Sequence, residues 1–239
     1  MVEAIIVCLL KKSIVPMKNY AFIIAFVLLV SSCSKIGIGP GSKGSTTLGG
    51  STDIPINTVG NKFSTLGANI DGNWVDLNSD IEIIKSENGV NTVKVYADLS
   101  SDPKLAAFNQ IIPDDLKDDQ GRVSFEGKVK VTSDGWLDYS NVDEEPVVAV
   151  KYDGKVGDKY SVTTTSGSKV EREITYRSTD DDFEYGFFLI KVIKVEQETA
   201  IPGIKKYVGY FNHKFGLVGL EIIAEDGSKL ETQVSADMY

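Results

Sequence analysis

From Phe63 onward the chain repeats with a period of two. Val93, Val95 and Ala97 alternate with Lys94 and Tyr96, and Val123, Phe125, Val129 and Val131 alternate with Ser124, Glu126, Lys128 and Lys130. Successive side chains of a strand point to opposite faces, so this pattern demands strands with one buried and one wet face. Four Asp-Gly pairs (Asp71-Gly72, Asp134-Gly135, Asp153-Gly154 and Asp226-Gly227) fall near the ends of these runs. Such pairs supply the positive φ angles of tight hairpins. The body is therefore expected to be mainly β: an antiparallel sandwich, or a curved open sheet or partial barrel.

One stretch breaks the alternation. Pro103 to Ile111 has Asp102 placed as an N-cap, proline in the first turn, and Leu105, Ala106, Phe108 and Ile112 roughly on one side. That predicts a single short helix over 103–111. Residues 113–121 follow as an acidic, exposed loop. Further strands are expected at Lys159–Thr165, Val170–Ser178, Phe183–Glu198, Lys205–Asn212, Leu217–Ala224 and Lys229–Ala236, as a meander. The run from Phe183 is apolar on both faces, with Phe183, Tyr185, Phe187 and Leu189 on one and Phe188, Ile190 and Val192 on the other. A strand of that kind is covered on both sides, or one side lines an apolar groove.

The first residues carry an address. Tyr20 to Val30 is an apolar run of eleven, too short to span about 30 Å of hydrocarbon as a helix. Lys18 precedes it and small residues end it, the layout of a signal peptide over 1–32. Met17 stands directly before Lys18, which marks it as a second candidate start, and residues 1–16 are left out of fold reasoning. The run closes on Val30-Ser31-Ser32-Cys33: an aliphatic residue, two small residues and a cysteine. In this it resembles bacterial lipoprotein precursors. The resemblance implies that Cys33 is acylated and becomes the first residue of the mature chain. It also implies several acyl chains, which anchor a protein stably where one does not. Ser34, in place of an aspartate, favours the outer membrane, and the absence of acids before Asp53 favours its periplasmic face.

Residues 34–60 hold seven glycines among their 27 positions, with several Ser and Thr and no sustained period. This is the composition of a flexible tether, with a mean reach of roughly 30 Å. Beyond it the sequence divides into an N-terminal β region, 61–150, and a C-terminal β-meander, 151–239, which form either two domains or halves of one. Between Leu137 and Ser228 the chain also resembles a group of β-rich bacterial lipoproteins of unassigned activity. The likeness is carried by Val156-Gly157-Asp158-Lys159-Tyr160, the run from Ile190 to Glu196, Asn212-His213-Lys214-Phe215-Gly216-Leu217-Val218-Gly219 and Glu225-Asp226-Gly227-Ser228. It implies an exported β protein and transfers no activity.

Composition narrows the chemistry. The chain carries a formal charge of −9; residues 1–32 hold three lysines against one glutamate, so the remainder carries −11. A body so acidic, with no basic stripe, repels phosphate backbones, and nucleic acid is not an expected partner. No Gly-rich phosphate loop appears, and no cofactor is expected. Cys8 lies in the signal segment, so Cys33 is the one mature cysteine and its sulfur is taken by lipid. No thiolate metal site or cysteine nucleophile is then available. His213, the single histidine, sits in a turn without a nucleophile elbow and reads as a turn residue.

Three acidic groups could offer oxygen to calcium: Asp114-Asp115 with Asp118-Asp119, Asp143-Glu144-Glu145, and Asp180-Asp181-Asp182. None has EF-hand spacing, and solvated loops are the plainer reading. No metal site and no catalytic residue are assigned. The expected role is a non-enzymatic binding or structural lipoprotein of the cell envelope, with an apolar molecule held beside Phe187, Phe188 and Ile190, or an envelope protein as partner. One alternative is a surface glycan- or protein-binding module with Trp74 or Trp136 as an exposed platform. Another is a carboxylate-dependent glycoside hydrolase, which needs two acids about 5–10 Å apart, with Trp74, Trp136 and Tyr139 as its aromatic platform.

Overall fold

A computed structural model describes residues 47–140, 145–163, 169–199 and 201–236. The lipobox, the signal segment, residues 34–46 and Asp143-Glu144 lie outside them. The described residues form a main antiparallel sheet, a separate two-stranded hairpin and a short α-helix. Its strands are β1 (Lys62–Ile70), β2 (Asn73–Val75), β3 (Asn78–Glu87), β4 (Val90–Asp98), β5 (Val123–Thr132), β6 (Gly135–Asp138) and β7 (Val147–Lys151). They continue with β8 (Lys159–Thr163), β9 (Lys169–Arg177), β10 (Phe183–Tyr185), β11 (Phe188–Ile190), β12 (Ile193–Glu198), β13 (Ile204–Asn212), β14 (Gly216–Ala224) and β15 (Lys229–Ala236). Helix α1 spans Pro103–Ile111.

The main sheet runs β7-β6-β5-β4-β3-β1-β15-β14-β13-β12-β9-β8, with β2 added to β1 and β10-β11 forming a separate hairpin. The N-terminal and C-terminal halves are joined at β1 and β15, where Phe63 pairs with Ala236 and Ile70 with Leu230. One hydrophobic cluster draws residues from both halves, from Phe63 and Val95 to Tyr207 and Leu230. Both β regions thus contribute strands to one sheet and side chains to one cluster. The alternation is borne out residue by residue: Val93, Val95, Val123, Phe125, Val129 and Val131 are all buried.

The sheet curls until its two ends approach, which is the curved, partial-barrel form and not a sandwich. The approach is fastened by a side chain. Arg172 of β9 is fully buried. It donates through Nη2 to Asp138 of β6 at 2.6 Å, through Nη1 to the Val148 carbonyl of β7 at 3.2 Å, and through Nε to Gln197 of β12 at 2.8 Å. A buried guanidinium is tolerated where its donors are satisfied in this way. Burial pulls its pKa down, against the opposing pull of Asp138.

Helix α1 occupies one end of the curled sheet. Asp102 caps it by accepting from the Lys104 N–H at 2.7 Å, and Pro103 opens it. Leu105, Phe108 and Ile112 bury their side chains there. Leu116, expected in an exposed acidic loop, is also buried. It lies in a short 3-10 turn over Asp114–Leu116, which turns the leucine inward while its neighbouring acids stay out.

The opposite end is closed by residues 48–57, and here the structure differs from the tether reading of 33–60. Leu48, Ile54 and Ile56 pack against the main core. Asn57 donates to the carbonyls of Thr52 at 2.7 Å and Val131 at 2.9 Å, and its Oδ1 accepts from buried Asn91 at 2.7 Å. Glycine-rich composition concealed two isoleucines and one asparagine with long-range partners. The same end carries the β5–β6 turn, residues 152–158, the β10–β11 hairpin and the β13–β14 turn.

Three of the four Asp-Gly pairs sit in hairpins. Asp71 (φ 48°) and Gly72 (φ 85°) form a two-residue turn with both angles positive, as do Asn88 (φ 52°) and Gly89 (φ 77°) between β3 and β4. Asp153-Gly154 lies in the longer link from β7 to β8.

Candidate functional site

The expected strand Phe183–Glu198 is not one strand. It folds into the β10–β11 hairpin and then, after Lys191 and Val192, enters the sheet as β12. Phe183 pairs with Ile190 and Tyr185 with Phe188, leaving Gly186-Phe187 as a two-residue loop. Gly186 takes φ 60° while Phe187 stays in the ordinary region, the arrangement in which glycine is needed at the first loop position. The hairpin brings Phe183, Tyr185, Phe188 and Ile190 to one face, which packs on the body, and leaves Glu184 and Leu189 on the other.

The packed face makes a second, small core on the outside of the sheet. Tyr185, Ile190, Val192 and Val218 are buried there, with Phe183, Tyr210 and Phe215 around them. Phe183 stacks on Tyr210 with ring centroids 5.0 Å apart, and Tyr185 lies 5.2 Å from Phe215. Aromatic contacts at these separations add to the burial of the rings. Phe188, opposite Tyr185, lies at the margin of this core, 6.0 Å from the Phe215 ring and 51% exposed, whereas Leu189 on the outer face is 53% exposed and Phe187 in the loop is fully exposed.

Hydrogen bonds hold the hairpin in place at three points. At its neck the Ser178 N–H donates to the Val192 carbonyl at 2.9 Å, and the Val192 N–H donates back to Ser178 Oγ at 3.0 Å. Asn212, buried at the end of β13, donates to the Lys191 carbonyl at 2.7 Å. Its Oδ1 accepts from the Lys214 N–H at 2.8 Å and the Phe215 N–H at 3.1 Å, so one side chain fixes the β13–β14 turn and ties it to the hairpin. Gln233 of β15 donates to the Glu184 carbonyl at 3.0 Å.

Between hairpin, turn and sheet end lies an open groove of about 660 Å³. That is within the usual range for small-molecule sites. Its walls include Phe188, Leu189, Ile190, Phe211 and Phe215, and Tyr152 closes one side. Arg177, Lys191 and Lys214 stand at its rim with a single acid, Asp181. Such an excess of positive charge runs against a chain of 34 acids and 25 bases. Arg177 is held at the rim by donating to the carbonyls of Tyr152 and Gly154, each at 2.8 Å. Lys191 donates to the Thr179 carbonyl at 2.6 Å, and Lys214 lies 5.1 Å from the Phe215 ring centre. His213 lies in the turn as expected and lines the same groove.

Other expected candidates do not converge. Trp136 is buried, donates to Tyr152 Oη at 3.0 Å and packs edge-on against Phe211, so it belongs to the core. Trp74 is 62% exposed on β2, at the other end of the sheet, and the proposed platform of Trp74, Trp136 and Tyr139 is not assembled. Asp118 accepts from the N–H groups of Gln120 and Arg122 and pairs with the Arg122 guanidinium at 2.7 Å. That partner holds its pKa below the usual carboxylate range. Asp182 is likewise lowered, by hydrogen bonds from Ser178 and Tyr176. Among the described residues no three His, Cys, Asp or Glu side chains gather as a metal site. The doubly apolar run identified Phe188 and Ile190 of the groove, while Phe187, expected beside them, does not line it; Arg177 and Phe211 were given no site role, and Asn212 and Phe215 were named only within the lipoprotein-like segment. Asn212 and Phe215 bracket His213-Lys214 in a turn that the sequence did mark, so their signal was position and not residue type.

Among the described residues no helix is long and apolar enough to cross a membrane. No protein-family model matches the chain, and no curated protein matches it. Two solved structures are similar in outline. One is described as an exported protein with a YmcC-like fold from Bacteroides fragilis, 11% identical, with a TM-score of 0.43 over 76% of this chain and 97% of that one. The other is described as a lipoprotein from Parabacteroides distasonis, 8% identical, with a TM-score of 0.37 over 76% of this chain and 96% of that one.

Proposed function

We propose that this chain is a lipid-anchored, non-enzymatic binding protein of the cell envelope, tethered through Cys33 to the periplasmic face of the outer membrane. Its ligand is an amphiphile: an apolar chain in the groove between the β10–β11 hairpin and the β13–β14 turn, and an anionic head at the rim. One observation carries this reading. The groove combines walls of Phe188, Leu189, Phe211 and Phe215 with a rim of Arg177, Lys191 and Lys214, in an otherwise acidic protein. Apolar walls with a few convergent charges are what holding such a molecule requires.

Among the described residues, each carboxylate whose pKa is displaced is lowered. Asp98, Asp118, Glu171, Asp182, Glu196 and Asp226 are all held below their usual pKa by hydrogen-bond or cationic partners. Glycoside hydrolysis needs the opposite, one acid raised so that it stays protonated. Native mass spectrometry tests the proposal on a Cys33→Ser chain, exported to the periplasm but not acylated. An added mass that extracts into organic solvent is the expected result. A bare mass that stays bare after incubation with palmitate would remove the ligand reading.

A further inference from the structure

The groove, the hairpin tip and the arrival of the tether share one end of the body. Residues 48–57 close that end, and Thr47 lies beside the Ser133-Asp134 turn and Tyr152. Tyr152 also lines the groove. Thirteen residues, 34–46, separate Cys33 from Thr47. With linker composition they reach roughly 20 Å on average, at about 5–6 Å times the square root of their number. Extended, they reach no more than about 3.3–3.6 Å per residue. An anchor that enters at this end keeps it nearer the lipid, on average, than the end that carries α1.

We propose that the tip of the β10–β11 hairpin, led by Phe187, inserts into the bilayer that carries the Cys33 anchor. Phe187, Phe188 and Leu189 are three consecutive apolar residues at the tip of the hairpin, beside the β13–β14 turn, and each is more than half exposed. Contiguous apolar surface of this kind marks a contact site on a soluble body. The tip is held by the Ser178–Val192, Asn212–Lys191 and Gln233–Glu184 bonds, so its exposure is built in. Lys191 and Lys214 line the adjoining groove and could reach lipid phosphates, and aromatic rings favour the interface between headgroup and chain. The tether argues for lipid as the occupant, because it enters the body at the end that carries the hairpin. Docked in this way, the groove opens beside the membrane surface from which an amphiphile could be drawn.

The inference rests on acylation of Cys33 but not on the groove being filled, and Phe187 is not among the groove's lining residues. It is tested on the acylated full chain in vesicles of phosphatidylethanolamine and phosphatidylglycerol. A spin label is placed at Phe187→Cys or, as a reference at the other end of the sheet, at Trp74→Cys. The label at 187 is expected to meet dissolved oxygen and be shielded from an aqueous nickel chelate, while the label at 74 meets the chelate. In the unacylated Cys33→Ser chain, Phe187→Ser is expected to weaken vesicle binding about tenfold, the effect of leaving one ring in water. A label at 187 open to the chelate, on protein whose mass proves acylation, would overturn the insertion alone. A label shielded in native membranes but open in pure lipid would overturn it in favour of a protein partner. A mass without acyl chains would overturn the anchor and the insertion together.

Discussion

Arg172 and Asp138 are 34 residues apart in sequence and meet at 2.6 Å where the two ends of the sheet approach, both buried. The pair joins β9, in the last strands of the sheet, to β6, in the first, a span that backbone pairing does not bridge. Isolated charges in such a place are costly, so the closure depends on each having the other. Asp138→Ala is expected to lower stability by about 3–5 kcal/mol in urea unfolding, because it leaves the guanidinium buried without its carboxylate. The double variant Arg172→Met/Asp138→Leu should recover most of that loss. Equal losses in single and double variants would show that the pair does not act as a unit.

Asn57 tests whether residues 48–57 are part of the body. Its side chain joins Thr52, Val131 and the buried Asn91, so Asn57→Ala removes three hydrogen bonds and strands a polar group. A loss of about 2–3 kcal/mol is expected, with new protease cleavage between 48 and 57. Unchanged stability and cleavage would return this segment to the tether.

Most of the strand plan was legible in sequence, because a half-wet sheet writes its buried face at every second residue. The strands at 204–212, 216–224 and 229–236 fall within one residue of expectation, and α1 is bounded as Asp102 and Pro103 require. Three features were not legible, each for its own reason. An apolar run on both faces does not distinguish a flap from a central strand, and Gly186 alone was too weak a signal to divide Phe183–Glu198. Small polar residues hid the packing of Ile54 and Ile56. Arg172 occupies the same alternating positions as buried Val170 and Ile174, and that parity was the available sign that a charge points inward. The groove's aromatic wall was partly visible; its cationic rim is assembled from three separate loops and strands, which no local pattern records.

Asn212 positions the groove without forming its apolar wall. Asn212→Ala removes the link to Lys191 and the acceptor for two turn N–H groups. A stability loss of about 1–3 kcal/mol is expected, with weaker retention of any bound amphiphile. Full retention at reduced stability would show that the groove's shape is set elsewhere.

Alkali should unfold the protein through its tyrosines. Burial pushes Tyr152 and Tyr160 up to about 12, and raises Tyr207 and Tyr210 further still. An unfolded tyrosine ionises near 10, so the unfolded chain releases protons first as pH rises. The stability these groups contribute is complete below about pH 10 and is lost progressively above it, through about pH 12 for Tyr152 and Tyr160 and higher for Tyr207 and Tyr210. Tyr152 alone accounts for about 2 kcal/mol by pH 12. Tyrosinate absorbance for this set should rise together with loss of the β-sheet circular dichroism signal. A rise completed near pH 10 in folded protein would contradict the burial.

The central claim is that the cation-rimmed groove holds an anionic amphiphile, and calorimetric titration of the Cys33→Ser chain with palmitate tests it most directly. Saturable one-to-one binding is predicted, with a negative heat-capacity change from burial of the chain. It should weaken about tenfold in Phe215→Ser, by loss of one apolar wall, and about tenfold in Lys191→Glu, by reversal of charge at the rim. Absence of saturable binding, or binding indifferent to both substitutions, would contradict the account.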